Sequence, residues 1–123
     1  MAVRVLIVDD LAFMRDAIRD ILVHNGFDVV AEAENGEVAI KRYRQVQPDV
    51  VLLDITMPVM DGITTLAKIR RIDPRAIVVM CSALGQQEHI IRAIHLGARD
   101  FIVKPFRAER IVSAIRKSIR RTA

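Results

Sequence analysis

Five strand-length apolar runs recur along this chain: "VRVLIV" (3–8), "FDVVAEA" (27–33), "DVVLL" (49–53), "AIVVMC" (76–81) and "DFIV" (100–103). Each is rich in β-branched residues, and most read as continuous rather than alternating apolar stretches. A strand of that kind is buried on both faces, which is the condition met in a parallel sheet covered by helices on each side. The segments between the runs carry helical spacing instead: Phe13, Ala17 and Ile21; Ala39, Tyr43 and Val46; Ile63, Leu66 and Ala67; Ile90 and Ile94; Ile111, Ile115 and Ile119. The order is therefore β-α repeated five times.

Boundary residues agree with this division. Asn25-Gly26 and Leu96-Gly97 read as helix stops, Asp73-Pro74 bars continuation, and Asp61 is placed to cap a helix begun by Gly62 and Ile63. No linker interrupts the alternation, so residues 1–123 are read as a single domain. Right-handed crossovers then favour an open, doubly wound α/β sheet.

Composition narrows the function classes. Hydrophobic content of 52% with 28% charged residues fits a globular chain, and the run Ala76 to Cys81 is too short to span a bilayer. The N-terminal "MAVRVLIVDD" has no signal-peptide pattern, which places the protein in the cytoplasm. The net charge of +4 resides largely in "KRYR" (41–44), "KIRR" (68–71) and "RKSIRR" (116–121). These clusters fall near the C-terminal ends of the expected helices, where cations offset the macrodipole, and no aromatic-basic or helix-turn-helix pattern supports nucleic-acid binding. Cys81, the single cysteine, is read as a buried and inert thiol. His24, His89 and His95 lack metal spacing, while Met57 and Met60 are assigned to packing.

In an open parallel sheet the ligand crevice lies outside the carboxyl ends of the strands. Asp9 and Asp10 follow the first run, Asp54 the third, Ser82 the fourth and Lys104 the fifth. Asp9 can also cap the next helix, a role compatible with ligand binding. Three carboxylates and one ammonium carry a formal −2, which a divalent cation would neutralise. Oxygen ligands without nearby His or Cys select Mg²⁺. A carboxylate beside Mg²⁺ suits phosphoryl transfer, with Asp54 as the nucleophile and Lys104 stabilising charge on the transferring oxygens.

The segments "VLIVDD", "LLDITMPVMDG", "CSALGQQ" and "KPF" resemble, in order and spacing, those of response-regulator receiver domains, and the likeness covers essentially the whole chain. It is strongest to the stand-alone chemotaxis response regulators of the CheY type, particularly of Gram-positive and Thermotoga-like bacteria. The resemblance implies a flavodoxin-like sheet of strand order 2-1-3-4-5 and phosphorylation of Asp54 by a histidine kinase. It implies Mg²⁺ held by Asp9, Asp10, Asp54 and the backbone carbonyl of Thr56, with Asp10 the more direct of the acid pair. It further implies phosphoryl contacts from Ser82 and Lys104, a cis peptide at Lys104-Pro105, and a switch in which Ser82 moves and Phe101 rotates inward. Phe101 stands where many enteric relatives have tyrosine, so it can switch by packing but offers no hydroxyl. The implied readout surface is the fourth helix, fifth strand and fifth helix, with His89, Arg92, Arg99 and Arg110 as candidate contacts. The implied partners are a chemotaxis kinase, the flagellar motor switch and a dedicated phosphatase, with the protein itself monomeric.

The chain stops soon after "IRRTA", which favours a stand-alone output over a receiver cut from a larger regulator. A phosphorelay intermediate is the alternative output. A haloacid-dehalogenase-type phosphatase needs a second acid two residues after its nucleophile, where this chain has Thr56. A dinucleotide- or flavin-binding module lacks its glycine-rich turn, since the first β-α turn reads "DDLAF".

Overall fold

The computed structural model describes residues 2–120, so Arg121 of the last basic cluster lies outside the described residues. Five strands alternate with five helices: β1 (Arg4–Val8), α1 (Ala12–His24), β2 (Asp28–Ala33), α2 (Gly36–Val46), β3 (Val50–Asp54), α3 (Gly62–Ile72), β4 (Val78–Ser82), α4 (Gln87–His95), β5 (Asp100–Val103) and α5 (Ala108–Arg120). The strands form one parallel sheet of order β2-β1-β3-β4-β5, as expected.

Side chains along each strand alternate between two apolar layers. Val5, Ile7, Val50, Leu52, Val79 and Ile102 meet α1 and α5 on one face. Leu6, Val8, Val51, Leu53, Val78 and Met80 meet α2, α3 and α4 on the other. Both sets are buried, which is why the strands read as unbroken apolar runs rather than period-2 patterns.

Most boundary expectations hold. Asp61 Oδ1 accepts from the Thr64 amide at 2.8 Å, and Asn35 Oδ1 caps α2 by accepting from Val38 at 3.0 Å. Helices α1 and α4 are C-capped by Asn25 and Leu96, each followed by a glycine of positive φ, +84° at Gly26 and +103° at Gly97. The peptide Lys104-Pro105 is cis.

Three readings need correction. The buried stripe of α1 is Ile18 and Leu22, flanked by half-buried Met14 and Ile21, and Phe13 is 67% exposed with Ala17 also at the surface. The pattern "AFMRDAIRDIL" supports two helical registers one residue apart, and the sheet selects the one carrying the larger aliphatics. On α4 only Ala93 is buried, leaving Ile94 exposed. Asp9 is not the cap of α1: Leu11 occupies that position without a side-chain cap bond, and Asp9 Oδ1 instead accepts the Leu11 amide at 2.9 Å.

Strands β3 and β4 also run one residue further than their apolar letters, ending on Asp54 and Ser82 themselves. The fourth begins later than its apolar run, because Ala76 turns back to donate to the Asp73 carbonyl at 3.0 Å.

Candidate functional site

Strand order decides what meets at the carboxyl edge. Because β1 and β3 are hydrogen-bonded neighbours at the centre of the sheet, Asp9 and Asp54 emerge side by side. Lys104 follows β5, two strands away, and its long side chain spans the gap. Its Nζ donates to Asp9 Oδ2 at 3.1 Å and to Asp54 Oδ2 at 3.2 Å. Asp9 and Asp54 are both buried, at 1% and 7% exposure, whereas Asp10 faces solvent. One oxygen from each of Asp9, Asp10 and Asp54 lies within 4.8 Å of the others.

Burial drives the Asp54 carboxyl above the usual carboxylate range; the Lys104 charge opposes this and the Asp9 charge adds to it. For Lys104, burial alone would lower the ammonium, but Asp54 and Asp9 together outweigh it and hold it above its ordinary value. The site is thus a buried acid pair stabilised by one cation and still carrying excess negative charge.

That composition fits a hard divalent cation. The converging donors are all oxygens, Lys104 offsets one of three negative charges, and exposed Asp10 leaves a solvent side on which an ion such as Mg²⁺ keeps its waters.

Gly62 explains how the loop after Asp54 stays tight. A Cβ at this position would lie 2.1 Å from the Asp54 carbonyl oxygen and 2.7 Å from Ile55 Cα. Without one, α3 starts directly against the end of β3, and the Gly62 amide donates to the Ile55 carbonyl at 2.6 Å. Within the same loop exposed Val59 adopts φ +68°, a conformation rare for a β-branched residue.

Ser82 and Thr56 reach the same edge, whereas the other anticipated residues lie on α4, α5 and β5 or immediately before β5. Ser82 is fully buried, and its hydroxyl points to the Ile102 carbonyl at a long 3.5 Å. Thr56 is exposed, and its hydroxyl accepts from Gln86 Nε2 at 2.8 Å. Phe101 is half-buried and borders an apolar cavity of about 610 Å³ with Leu84, Ile91 and Ile94. His89 and Arg92 on α4 line a smaller cavity with Thr56 and Asp61. Arg110 donates to the Phe101 carbonyl at 2.6 Å, and half-buried Arg99 donates its amide to Val78. Buried Cys81 lies behind Asp54, its thiol pushed up to about 12 by burial and then by the Asp54 charge, as suits an inert group.

Two participants were not anticipated from sequence. Gln86 ties the loop after β4 to the loop after β3, because its Oε1 accepts from Ala83 at 2.7 Å while its amide reaches Thr56. Arg15 supports Asp9 from behind by donating to its backbone carbonyl at 2.6 Å. An arginine one turn into the first helix was the available signal for Arg15; Gln86 carried none.

Comparison with known proteins is consistent across sequence and fold. The family described as response regulator receiver domain matches residues 5–116. The chain is 60% identical to the chemotaxis protein CheY of Bacillus subtilis over 119 residues, covering 97% of this chain and 99% of that one. Among solved structures, CheY in the CheX-CheY-BeF3-Mg complex from Borrelia burgdorferi superposes with a TM-score of 0.90 at 38% identity, covering 94% of this chain and 87% of that one. The response regulator domain of Thermotoga maritima CheB gives a TM-score of 0.91 at 34% identity and covers 98% of both.

Proposed function

This chain belongs to the response regulator receiver domain family as a CheY-like member, and from that premise we propose that Asp54 accepts a phosphoryl group from a histidine kinase in the cytoplasm. The observation that carries the reading is the meeting of Asp54 with Asp9, Asp10 and Lys104 in one partly buried cluster. An Asp54 oxygen attacks the phosphorus, forming a P–O bond as the P–N bond to the kinase imidazole breaks. The leaving nitrogen keeps the bonding pair and takes up a proton, and the product on this chain is an acyl phosphate.

Lys104 already sits against Asp54 Oδ2, so a cation needs no rearrangement to meet the incoming phosphoryl oxygens. Asp9, Asp10, Asp54 and the Thr56 carbonyl would hold Mg²⁺, which when bound supplies neutralisation of charge on the transferring oxygens.

Phosphorylation brings about −1.5 to −2 charge and strong acceptors. Ser82, whose hydroxyl makes one long contact, to Ile102, among the described residues, is the hydroxyl placed to swing toward them, and Phe101 fills the space behind it. Shifting a two-state equilibrium from 1:99 to 99:1 takes about 5.5 kcal/mol, within reach of two or three charge-assisted hydrogen bonds of roughly 1.5 to 3 kcal/mol each. The output is docking on the flagellar motor switch. A dedicated phosphatase would reset it, and the Borrelia relative, crystallised in complex with CheX, shows that a protein of this fold is bound by a second component.

Incubation with acetyl phosphate and Mg²⁺ followed by intact mass tests the assignment. We expect a gain of one phosphoryl group that disappears in Asp54→Asn, with Asp10→Ala weakening Mg²⁺ binding by titration. Equal labelling of wild type and Asp54→Asn would overturn it.

A further inference from the structure

Away from the phosphoacceptor edge, α2 and α3 pack side by side, so closely that a Cβ on Gly36 would lie 2.1 Å from Thr65 Oγ1. Between their outer faces runs a groove of about 430 Å³. Its apolar lining is Ile40 from α2, Met60 from the loop before α3, and Ile72, which is 39% exposed. Its charged lining is Arg44, Lys68 and Arg71, with Glu37 the one acid. Arg44, Lys68 and Arg71 form no ion pair or side-chain hydrogen bond among the described residues, whereas Arg15, Arg19, Lys104 and Arg110 are all paired.

Offsetting the helix macrodipoles accounts for Arg44 and Arg71, which lie in last turns. It does not account for Lys68, nor for the convergence of cations from two helices on one apolar trough. Spacing adds a shape: positions 37, 40 and 44 on α2 face positions 68, 71 and 72 on α3, a track about two helical turns long. A trough of that length with apolar floor and basic rim complements a short amphipathic helix with two apolar anchors one turn apart and carboxylates on its flanks.

We propose that the α2–α3 groove is a docking site for an acidic amphipathic helix of a partner protein, separate from the phosphoacceptor cluster. Charge complementarity chooses this occupant: a second copy of the chain would bring its own excess of cations to a basic rim. The groove is already formed in the unphosphorylated protein, so it is tested there.

The probe is a fluorescein-labelled 12-residue alanine-based peptide with leucines at i and i+4 and glutamates at the flanking positions only, its helicity checked by circular dichroism. A scrambled peptide of equal composition and vesicles of phosphatidylglycerol serve as comparison ligands. Anisotropy titration should show the patterned peptide binding at least tenfold tighter than the scrambled one, with affinity falling as salt rises. Triple reversal of exposed cations, Arg44→Glu with Lys68→Glu and Arg71→Glu, should weaken binding at least tenfold while leaving the circular dichroism spectrum unchanged. Amide shift mapping on the wild-type protein, which needs no variant, should place the perturbations at Ile40, Met60 and Ile72. Perturbations centred on Ile91 and Phe101, equal binding of both peptides, an unchanged affinity in the reversed variant, or binding to vesicles in place of the peptide would each overturn the proposal.

Discussion

Replacing Gly62 by alanine sets two effects of opposite sign against each other. Helix propensity alone favours alanine over glycine by up to about 1 kcal/mol in a helix interior, and by less at a first-turn position. The structure opposes it: the new methyl would sit 2.1 Å from the Asp54 carbonyl oxygen and 2.9 Å from the Asp54 carbonyl carbon, both backbone atoms with no rotamer to yield. Relief requires α3 to retreat by more than about 1 Å to reach ordinary contact distance. That movement lengthens the Gly62 amide bond to Ile55 and disturbs the Asp61 cap on Thr64, a contact of 2.8 Å. Overpacking of this kind costs about 1 to 3 kcal/mol and a lost cap about 1 kcal/mol, so the net expectation is a loss of about 2 kcal/mol. In urea unfolding, with a slope of about 2 kcal/mol per molar, the midpoint should fall by about 1 M at unchanged slope. Gly26→Ala is the control, because its Cβ meets nothing within 4 Å and only the left-handed backbone at φ +84° opposes it, at a cost of about 1 kcal/mol. A Gly62→Ala protein as stable as wild type would refute the claim that close approach to Asp54 requires glycine there.

Two further outcomes are expected. Lys104→Met leaves Asp54 buried beside Asp9 without its cation, pushing the Asp54 carboxyl further up; a carboxyl raised above its unfolded value stabilises the fold below the unfolded value and loses that as pH rises. The variant should therefore be about 2 kcal/mol less stable than wild type at pH 7 and nearly equal to it at pH 4, as read from urea midpoints without Mg²⁺. Tyr43 Oη donates to Asp73 Oδ2 at 2.7 Å, and burial, then this bond, raise its phenol well above 10.0. Its contribution is whole below pH 10 and is lost above it, so Tyr43→Phe should cost about 1 kcal/mol at pH 7, with the gap narrowing in thermal melts above pH 10.

The sheet was legible because burial on both faces writes itself directly into the letters, as in "VLIV" and "VVLL". Asp54, Ser82 and Lys104 could be placed at one edge because a parallel sheet aligns all its carboxyl ends. The α1 stripe was misplaced at Phe13 and Ala17 because a helix of mixed composition fits two phases, and only the packed partner, here Val5 and Ile7, chooses between them. The capping role allowed for Asp9 beside its place in the cluster rests on a local preference, whereas its carboxylate is engaged by the Leu11 amide and by a lysine far along the chain. Gln86 stayed hidden for the same reason: its partner Thr56 lies on another loop, 30 residues away, and no local pattern announces the pairing.

Lys104 reaches back 95 residues to Asp9 and 50 residues to Asp54. No contiguous fragment shorter than that longer span can assemble the cluster. During synthesis the acids leave the ribosome before the lysine that pairs with them, so the ion-paired cluster forms only once the last strand has docked. Neutralisation of the buried acid pair is thereby bound to completion of the sheet, since the balancing charge arrives only with the strand that closes its far edge.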